Sequence, residues 1–226
     1  NYHARNAKLY TDFGLLTCDA AIGRDVRTVF QQLTSLGQPG RLKHLLQSPF
    51  TLHATLLKWI GRETDRAKKG KPAHIIAKMN ALLEPQIIRA LYKASQAGVK
   101  IDLIVRGPCA LRPGIAGLSE HIRVRSIIGR FLEHSRIFYF LNDGDDRVFL
   151  SSADWMDRNF FRRIEVAFPV LEKTLRQRVI DEGLRPYLED NTHAWTLHRD
   201  GTYRRLTPGR RSPRSAQHWL MNKLVT

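Results

Sequence analysis

The chain has 226 residues, enough for one α/β domain with a full core or one domain with a small appendage, and its 42% hydrophobic content excludes a disordered chain. Thirty-seven Lys and Arg against 21 Asp and Glu leave a formal net charge of +16, a self-repelling surplus that calls for an anionic partner: nucleic acid, an anionic membrane, a nucleotide or a phosphate chain. No apolar run approaches the ~18 residues of a membrane span, no secretory signal is visible, and Cys18 and Cys109 make neither a metal-ligand spacing nor a disulfide framework.

In chain order, Leu9 to Thr17 reads as a strand, and Asp19 opens a helix to about Leu36 whose apolar face is Val26, Val29, Phe30 and Leu33. Gly37 and Gly40 around Pro39 stop it. Leu42 to Gln47 is a short strand. Ser48-Pro49 then starts a helix over Thr51 to Lys69 with Leu52, Leu56, Trp59 and Ile60 inward. His74 to Met79 (strand), Glu84-Pro85 to about Gln96 (helix) and Lys100 to Val105 (strand) have the rhythm of a parallel βαβ unit. Ile122–Ile128, Ser135–Leu141, Arg147–Ser151 and Ile164–Val170 read as four strands, with a hairpin turn at Asn142-Asp143-Gly144-Asp145. A helix over Glu172 to Leu188 follows, then from Asn191 a basic loop and a short helix from Ser215 to Leu224.

Three residue types suggest phosphate chemistry. Arg106 follows a buried strand directly, where ligands gather in open α/β sheets, and a guanidinium forks onto phosphate oxygens. His134 and Arg136 stand two apart on a strand and so project to the same side. Imidazole there can act as nucleophile, general acid or hydrogen-bond donor beside a group that holds an anion. The loop from Ser151 through Asp154 to Asn159 brings hydroxyls, a carboxylate and an amide to the next strand end. Glu165, inside an apolar strand, either faces solvent or orients His134.

His-x-Arg on a strand, a hairpin, then Ser-Ser-Ala-Asp-Trp and an Arg-Asn pair resembles the second catalytic half of the phospholipase D superfamily, with Arg136 in place of its lysine and Leu141 in place of its aspartate. Those departures, with Asn1-Tyr2, Ala7-Lys8-Leu9-Tyr10-Thr11-Asp12, Ala77-Lys78-Met79-Asn80, Val105-Arg106-Gly107, Arg130 to Arg136 and Ser151 to Met156, resemble polyphosphate kinase through about Leu188. The resemblance implies a phospholipase D-like mixed β-sheet flanked by helices on both faces, over residues 1–190, followed by a basic extension over 191–226. It implies reversible transfer of the terminal phosphate of ATP to polyphosphate through a phosphohistidine, with magnesium. Tyr10, Arg106 and His134 would contact ATP; Arg136 and Glu165 would complete this half of the site; Lys78 and Asn80 are candidates for phosphate contact. The phosphorylated histidine and the magnesium ligands would lie upstream of Asn1, so no metal site is expected here and the chain alone is expected to be inactive.

Partners implied are ATP or ADP, polyphosphate, the remainder of a longer chain and further copies of it, in the cytoplasm or at the inner face of a membrane. Arg204, Arg205, Arg210, Arg211 and Arg214 are candidates to rim a tunnel for the polyanionic product, as against a merely solvated end. Two other readings stay open. A phosphodiesterase or nuclease half-site would need a second His-x-Lys. A basic nucleic-acid module would be drawn by charge alone, without helix-turn-helix, zinc or RNA-recognition signatures.

Overall fold

The computed structural model describes residues 1–34 and 40–224. Its elements begin with α1 (Ala4–Ala7), β1 (Tyr10–Thr11), α2 (Ala20–Leu33), β2 (Leu46–Gln47), α3 (Leu52–Lys68), β3 (His74–Met79), α4 (Pro85–Gln96) and β4 (Lys100–Val105). They continue with β5 (Ile122–Ile127), β6 (Leu132–Glu133), β7 (Arg136–Phe140), β8 (Arg147–Ser151) and β9 (Val166–Pro169). The last are α5 (Lys173–Gly183), α6 (Arg185–Glu189), β10 (Ala194–Leu197), β11 (Tyr203–Arg205) and α7 (Ala216–Leu224).

Nine strands form one mixed sheet in the order β11-β10-β5-β4-β3-β7-β8-β9-β2, and β1 and β6 make a separate parallel pair. The expected βαβ unit is present: β3 and β4 are parallel, with α4 between them in sequence. Glu84 caps α4 by accepting from the amides of Gln86 and Ile87. Alternation sorts the side chains. Ile75, Ala77, Met79, Ile101, Leu103, Phe138 and Phe140 share one core with α3 and α4. Ile76, Ile104, Ile137, Tyr139, Val148 and Leu150 share another with α5, α6 and α7. Helices therefore cover both faces, as expected. The inward residues of α3, Leu52, Leu56, Trp59 and Ile60, are all buried, and truncating a fully buried leucine such as Leu56 to alanine should cost about 2–5 kcal/mol.

Several local readings are corrected. The first strand shrinks to Tyr10–Thr11, because its partner Leu132–Glu133 offers only two residues to pair with; Leu16 lies fully exposed. On α2, Ile22 and Val29 face inward with Asp25, and Val26, Phe30 and Leu33 face out. Asp25 is buried because its carboxylate accepts the amides of Lys43, His44 and Leu45. The continuation of this helix to Leu36 falls outside the described residues. Thr51, not Ser48, stands at the start of α3. The single helix over 172–188 is two, α5 and α6. Gly183 lets the turn pack closely, since a Cβ there would lie 2.3 Å from Ile137 Cδ1, and Pro186 cannot continue the amide ladder.

The largest correction concerns the tail. Its first part is not a loop, since β10 pairs with β5 and β11 with β10, so the main sheet runs straight across residue 190; the basic loop is confined to residues 206–215, and the expected short helix follows as α7. Asp190 secures the junction by accepting the amides of Thr192, His193, Ala194 and Ala216. No described helix is long and apolar enough to cross a membrane.

Candidate active site

β3 and β4 end side by side at Met79 and Val105, and β7 starts beside them running the opposite way. Whatever follows Met79 and Val105, or precedes Ile137, is therefore gathered at one end of the sheet. Gly107 is required there, because a Cβ would come within 2.9 Å of the Asn80 carbonyl oxygen that its own amide binds.

The side chains form one continuous chain of hydrogen bonds. Arg106 donates through Nε to Asn80 Oδ1 at 2.9 Å. Asn80 donates to Asp154 Oδ1 through its backbone amide at 2.7 Å and through Nδ2 at 3.1 Å. Asp154 grips Arg136 in a fork, Nε and Nη2 each at 3.1 Å. The remaining nitrogen, Nη1, reaches His134 Nε2 at 3.1 Å. On its far side His134 Nδ1 lies 2.8 Å from Asp12 Oδ1, and Asn1 Nδ2 lies 3.1 Å from the same nitrogen. A proton on Nδ1 donated to Asp12 leaves the Nε2 lone pair directed at Arg136. Tyr10 packs edge-on against the imidazole with ring centroids 5.1 Å apart.

The pieces are braced from behind. Trp155, fully buried, accepts at its carbonyl from the amides of Leu83 and Glu84, which ties the loop carrying Asp154 to the one carrying Asn80. Asp154 itself is buried, while the side chain of His134 keeps 27% of its surface exposed. The terminal nitrogens of Arg106 make no hydrogen bond among the described residues. The arrangement thus offers an imidazole and two guanidinium groups, held from one side by neutral and acidic partners and open on the other.

Of the residues expected at the site, Tyr10, Asn80, Arg106, His134 and Arg136 are brought together. Glu165 is not. It accepts from Ser152 Oγ and Asn159 Nδ2, both at 2.5 Å, and shores up the loop after β8 rather than touching His134. Lys78 is placed elsewhere as well. It is 1% exposed, pairs with Glu133 at 2.8 Å, and sits 3.3 Å from the centre of the Tyr187 ring. Alternation explains this: Lys78 shares the strand face of Ile76, beneath α6, so its ammonium cannot reach a ligand at the strand ends. The reading of Lys78 as a phosphate contact is corrected to a core ion pair.

That pair supports the site nonetheless. Glu133 also accepts from Thr11 Oγ1 at 3.0 Å and from Gln217 Nε2 at 2.7 Å. Burial pushes the Glu133 carboxyl up, but the Lys78 charge and the hydrogen bonds from Lys78, Gln217 and Tyr187 hold it below the usual carboxylate range. Gln217, on α7, further exchanges hydrogen bonds with the backbone of Phe131. The segment bearing His134 is thus clamped by β1 on one side and by the C-terminal helix on the other. Asp154 was read from sequence only as the carboxylate of a polar loop at a strand end, and Asp12, Glu133 and Gln217 carry no site reading there. Asp12 and Glu133 do lie within quoted motifs; Gln217 carries no local signal at all.

Among the described residues no group of three or more His, Cys, Asp or Glu side chains converges to hold a metal ion. Asp12 and Asp154, the carboxylates nearest His134, are each committed to an imidazole, amide or guanidinium partner. The magnesium implied by the resemblance finds no ligand set on these residues.

Comparison with known proteins completes the description. Residues 45–217 match the family model for polyphosphate kinase C-terminal domain 2, and residues 1–39 that for polyphosphate kinase C-terminal domain 1. This chain belongs to the polyphosphate kinase family. The polyphosphate kinase of Paraburkholderia phytofirmans is 61% identical over all 226 residues, and that of Pseudomonas aeruginosa 59%. The chain spans 33% of the length of each, about a third. The crystal structure of the polyphosphate kinase from Porphyromonas gingivalis superposes with a TM-score of 0.89 at 39% identity, over 92% of this chain and 32% of that one. The mixed sheet with helices on both faces is thus the fold of a polyphosphate kinase C-terminal region.

Proposed function

We propose that this chain supplies the nucleotide-gripping wall of a polyphosphate kinase active site, in the reversible transfer of the terminal phosphate of ATP to inorganic polyphosphate. The observation that carries the reading is the hydrogen-bonded run from Arg106 through Asn80, Asp154 and Arg136 to His134. Phosphoryl transfer depends mainly on positioning and on countering the charge of the transferred group. Arg106 offers its free terminal nitrogens to phosphate oxygens. Arg136, fixed by Asp154, offers the edge nearest His134 to the same group. His134, doubly protonated with its Nδ1–H on Asp12, holds or protonates a phosphate oxygen through Nε2–H, Arg136 Nη1 turning from the imidazole to the same phosphate, while Tyr10 lines the nucleotide side. The histidine that becomes phosphorylated, and the magnesium ligands, belong in this proposal to the two-thirds of the relatives' length that the chain does not span. Assembly with further copies of the longer chain is part of the same reading.

The test is ATP binding to the chain by calorimetry. The wild type should bind ATP, and Arg106→Ala and His134→Ala should each weaken binding at least about tenfold, the scale of one charge-assisted hydrogen bond. Equal ATP affinity in all three would overturn the proposal. Metal-independent phosphodiester cleavage dependent on His134 would favour a phosphodiesterase half-site instead.

A further inference from the structure

The five tail arginines expected to act together are divided by the fold. Arg204 pairs with Asp200 at 3.7 Å, and Arg205 donates to the Thr192 carbonyl. Arg210, Arg211 and Arg214 instead line a cavity of about 660 Å³ between the end of α6 and the loop before α7. A fourth arginine joins them from the sheet. Arg125, on β5, is half-buried and opens into the same space.

The charges in this cavity do not cancel. Four guanidinium groups face two carboxylates, Glu189 and Asp190. Glu189 is taken by Arg214, and Asp190 is spent on the four backbone amides at the tail junction. Arg210 and Arg211 have no ion-pair partner among the described residues. Arg125 has none either: one nitrogen donates to the Tyr187 and Leu188 carbonyls at 3.1 and 2.6 Å, and its other nitrogens make no hydrogen bond. Burial pulls the Arg125 pKa below that of a free guanidinium. A desolvated cation facing a cavity beside two unpaired ones is stabilised by an anion in that cavity.

We propose that Arg125, Arg210, Arg211 and Arg214 form a second anion site, apart from His134, which holds a linear phosphate chain as it enters or leaves the enzyme. The lining decides for a phosphate chain over nucleic acid. No aromatic side chain is present, and single-stranded nucleic-acid sites depend on aromatic stacking of bases. The site also lies on the same sheet face as Arg106: Arg125 pairs laterally with Ile104, two residues before Arg106. Two residues of strand, ~7 Å, separate the backbones of the two arginines along the strand direction. The choice of polyphosphate as ligand rests on the kinase reading; the existence of an anion site does not.

The experiment is competition binding of long-chain inorganic polyphosphate to the 226-residue chain, with ATP and single-stranded RNA measured in parallel. The Arg210→Gln/Arg211→Gln double variant changes only exposed side chains and preserves the fold. It should weaken polyphosphate binding at least about tenfold and flatten the dependence of log affinity on log salt by roughly one to two, as two fewer charges are neutralised. ATP affinity should not move. Arg125→Gln should act in the same direction, with a thermal melt to separate loss of its carbonyl contacts from loss of ligand. Unchanged polyphosphate affinity in the double variant, or no polyphosphate binding by the wild type, overturns the site. RNA binding as tight as polyphosphate and lost in the same variant overturns the choice of ligand. Failure of ATP binding at His134 with the cavity effect intact would instead count against the kinase reading alone.

Discussion

Two ion pairs flank His134, which stands between β6 and β7, and they differ in what they leave free. Lys78 and Glu133 are 1% and 3% exposed, and every charged atom of the pair is answered by another part of the fold: β1, α6 or α7. Arg136 and Asp154 are also largely buried, but the guanidinium keeps one nitrogen turned toward His134 at the open end of the sheet. The first pair ties three distant segments together. The second aims a cation. Burial alone does not distinguish a structural ion pair from a functional one; the direction of the unused hydrogen-bonding capacity does.

The comparison can be broken most severely at Glu133. Glu133→Leu strands a buried ammonium, and urea unfolding should show a loss of about 3–5 kcal/mol, most of it recovered in the Lys78→Met/Glu133→Leu double variant. A single-variant loss below about 1 kcal/mol would mean the pair is not dry. Asp154→Ala removes the anchor of Arg136 and an acceptor for the Asn80 amide. Calorimetry should show nucleotide affinity falling by roughly 10- to 100-fold, with little change if Arg136 is positioned by other means.

Acid should separate the regions without mutation. Asp25 is pushed up by burial, but the amides of Lys43, His44 and Leu45 outweigh this and hold it low, and Glu133 is likewise depressed. For a carboxyl whose folded pKa is lowered, the stabilisation is complete above its unfolded value near 4 and disappears as pH falls through the folded value. Melting temperature should therefore hold steady above about pH 5 and drop below about pH 4, less steeply in Asp25→Asn. A flat profile down to pH 3 would contradict both assignments.

Asp12→Asn sharpens the comparison at the open end. Nitrogen-15 spectra should show His134 losing its preference for a proton on Nδ1, with nucleotide affinity lowered by only a few fold, about 1 kcal/mol or less. An unchanged tautomer would remove Asp12 from the site. Arg204→Ala serves as the baseline: its exposed pair with Asp200 should leave the denaturation midpoint essentially unchanged.

Local patterns made much of the framework legible. The βαβ unit, the inward face of α3, the Glu84-Pro85 helix start and the turn at Asn142–Gly144 follow from periodicity and from residues suited to unusual backbone angles. At that turn Asn142, Asp143 and Gly144 all adopt positive φ, which these residue types tolerate. His134 and Arg136 do meet, although His134 stands in the break between β6 and β7 and not on the strand expected for it. The misreadings arose where a partner decides the outcome. The face of α2 turned because Asp25 found three backbone amides some 18 to 20 residues away, and no pattern of apolar residues announces that. Glu165 was read toward His134 because its partners, Ser152 and Asn159, become neighbours only when β8 and β9 pair.

By itself, then, the sequence determined the strand and helix rhythm, the strand-end position of Arg106, the shared side of His134 and Arg136, and a family resemblance that comparison bears out. Those are short-range properties, set by side-chain alternation, helix periodicity and motif order. Tertiary structure alone decided which cations are tools and which are bolts. Lys78 was committed by the helix above its strand face, Arg136 by a carboxylate 18 residues downstream, and the tail by strands that add to the central sheet. Each outcome depends on which desolvated charge finds a partner across the fold, and burial in a low-dielectric interior makes that choice worth several kcal/mol.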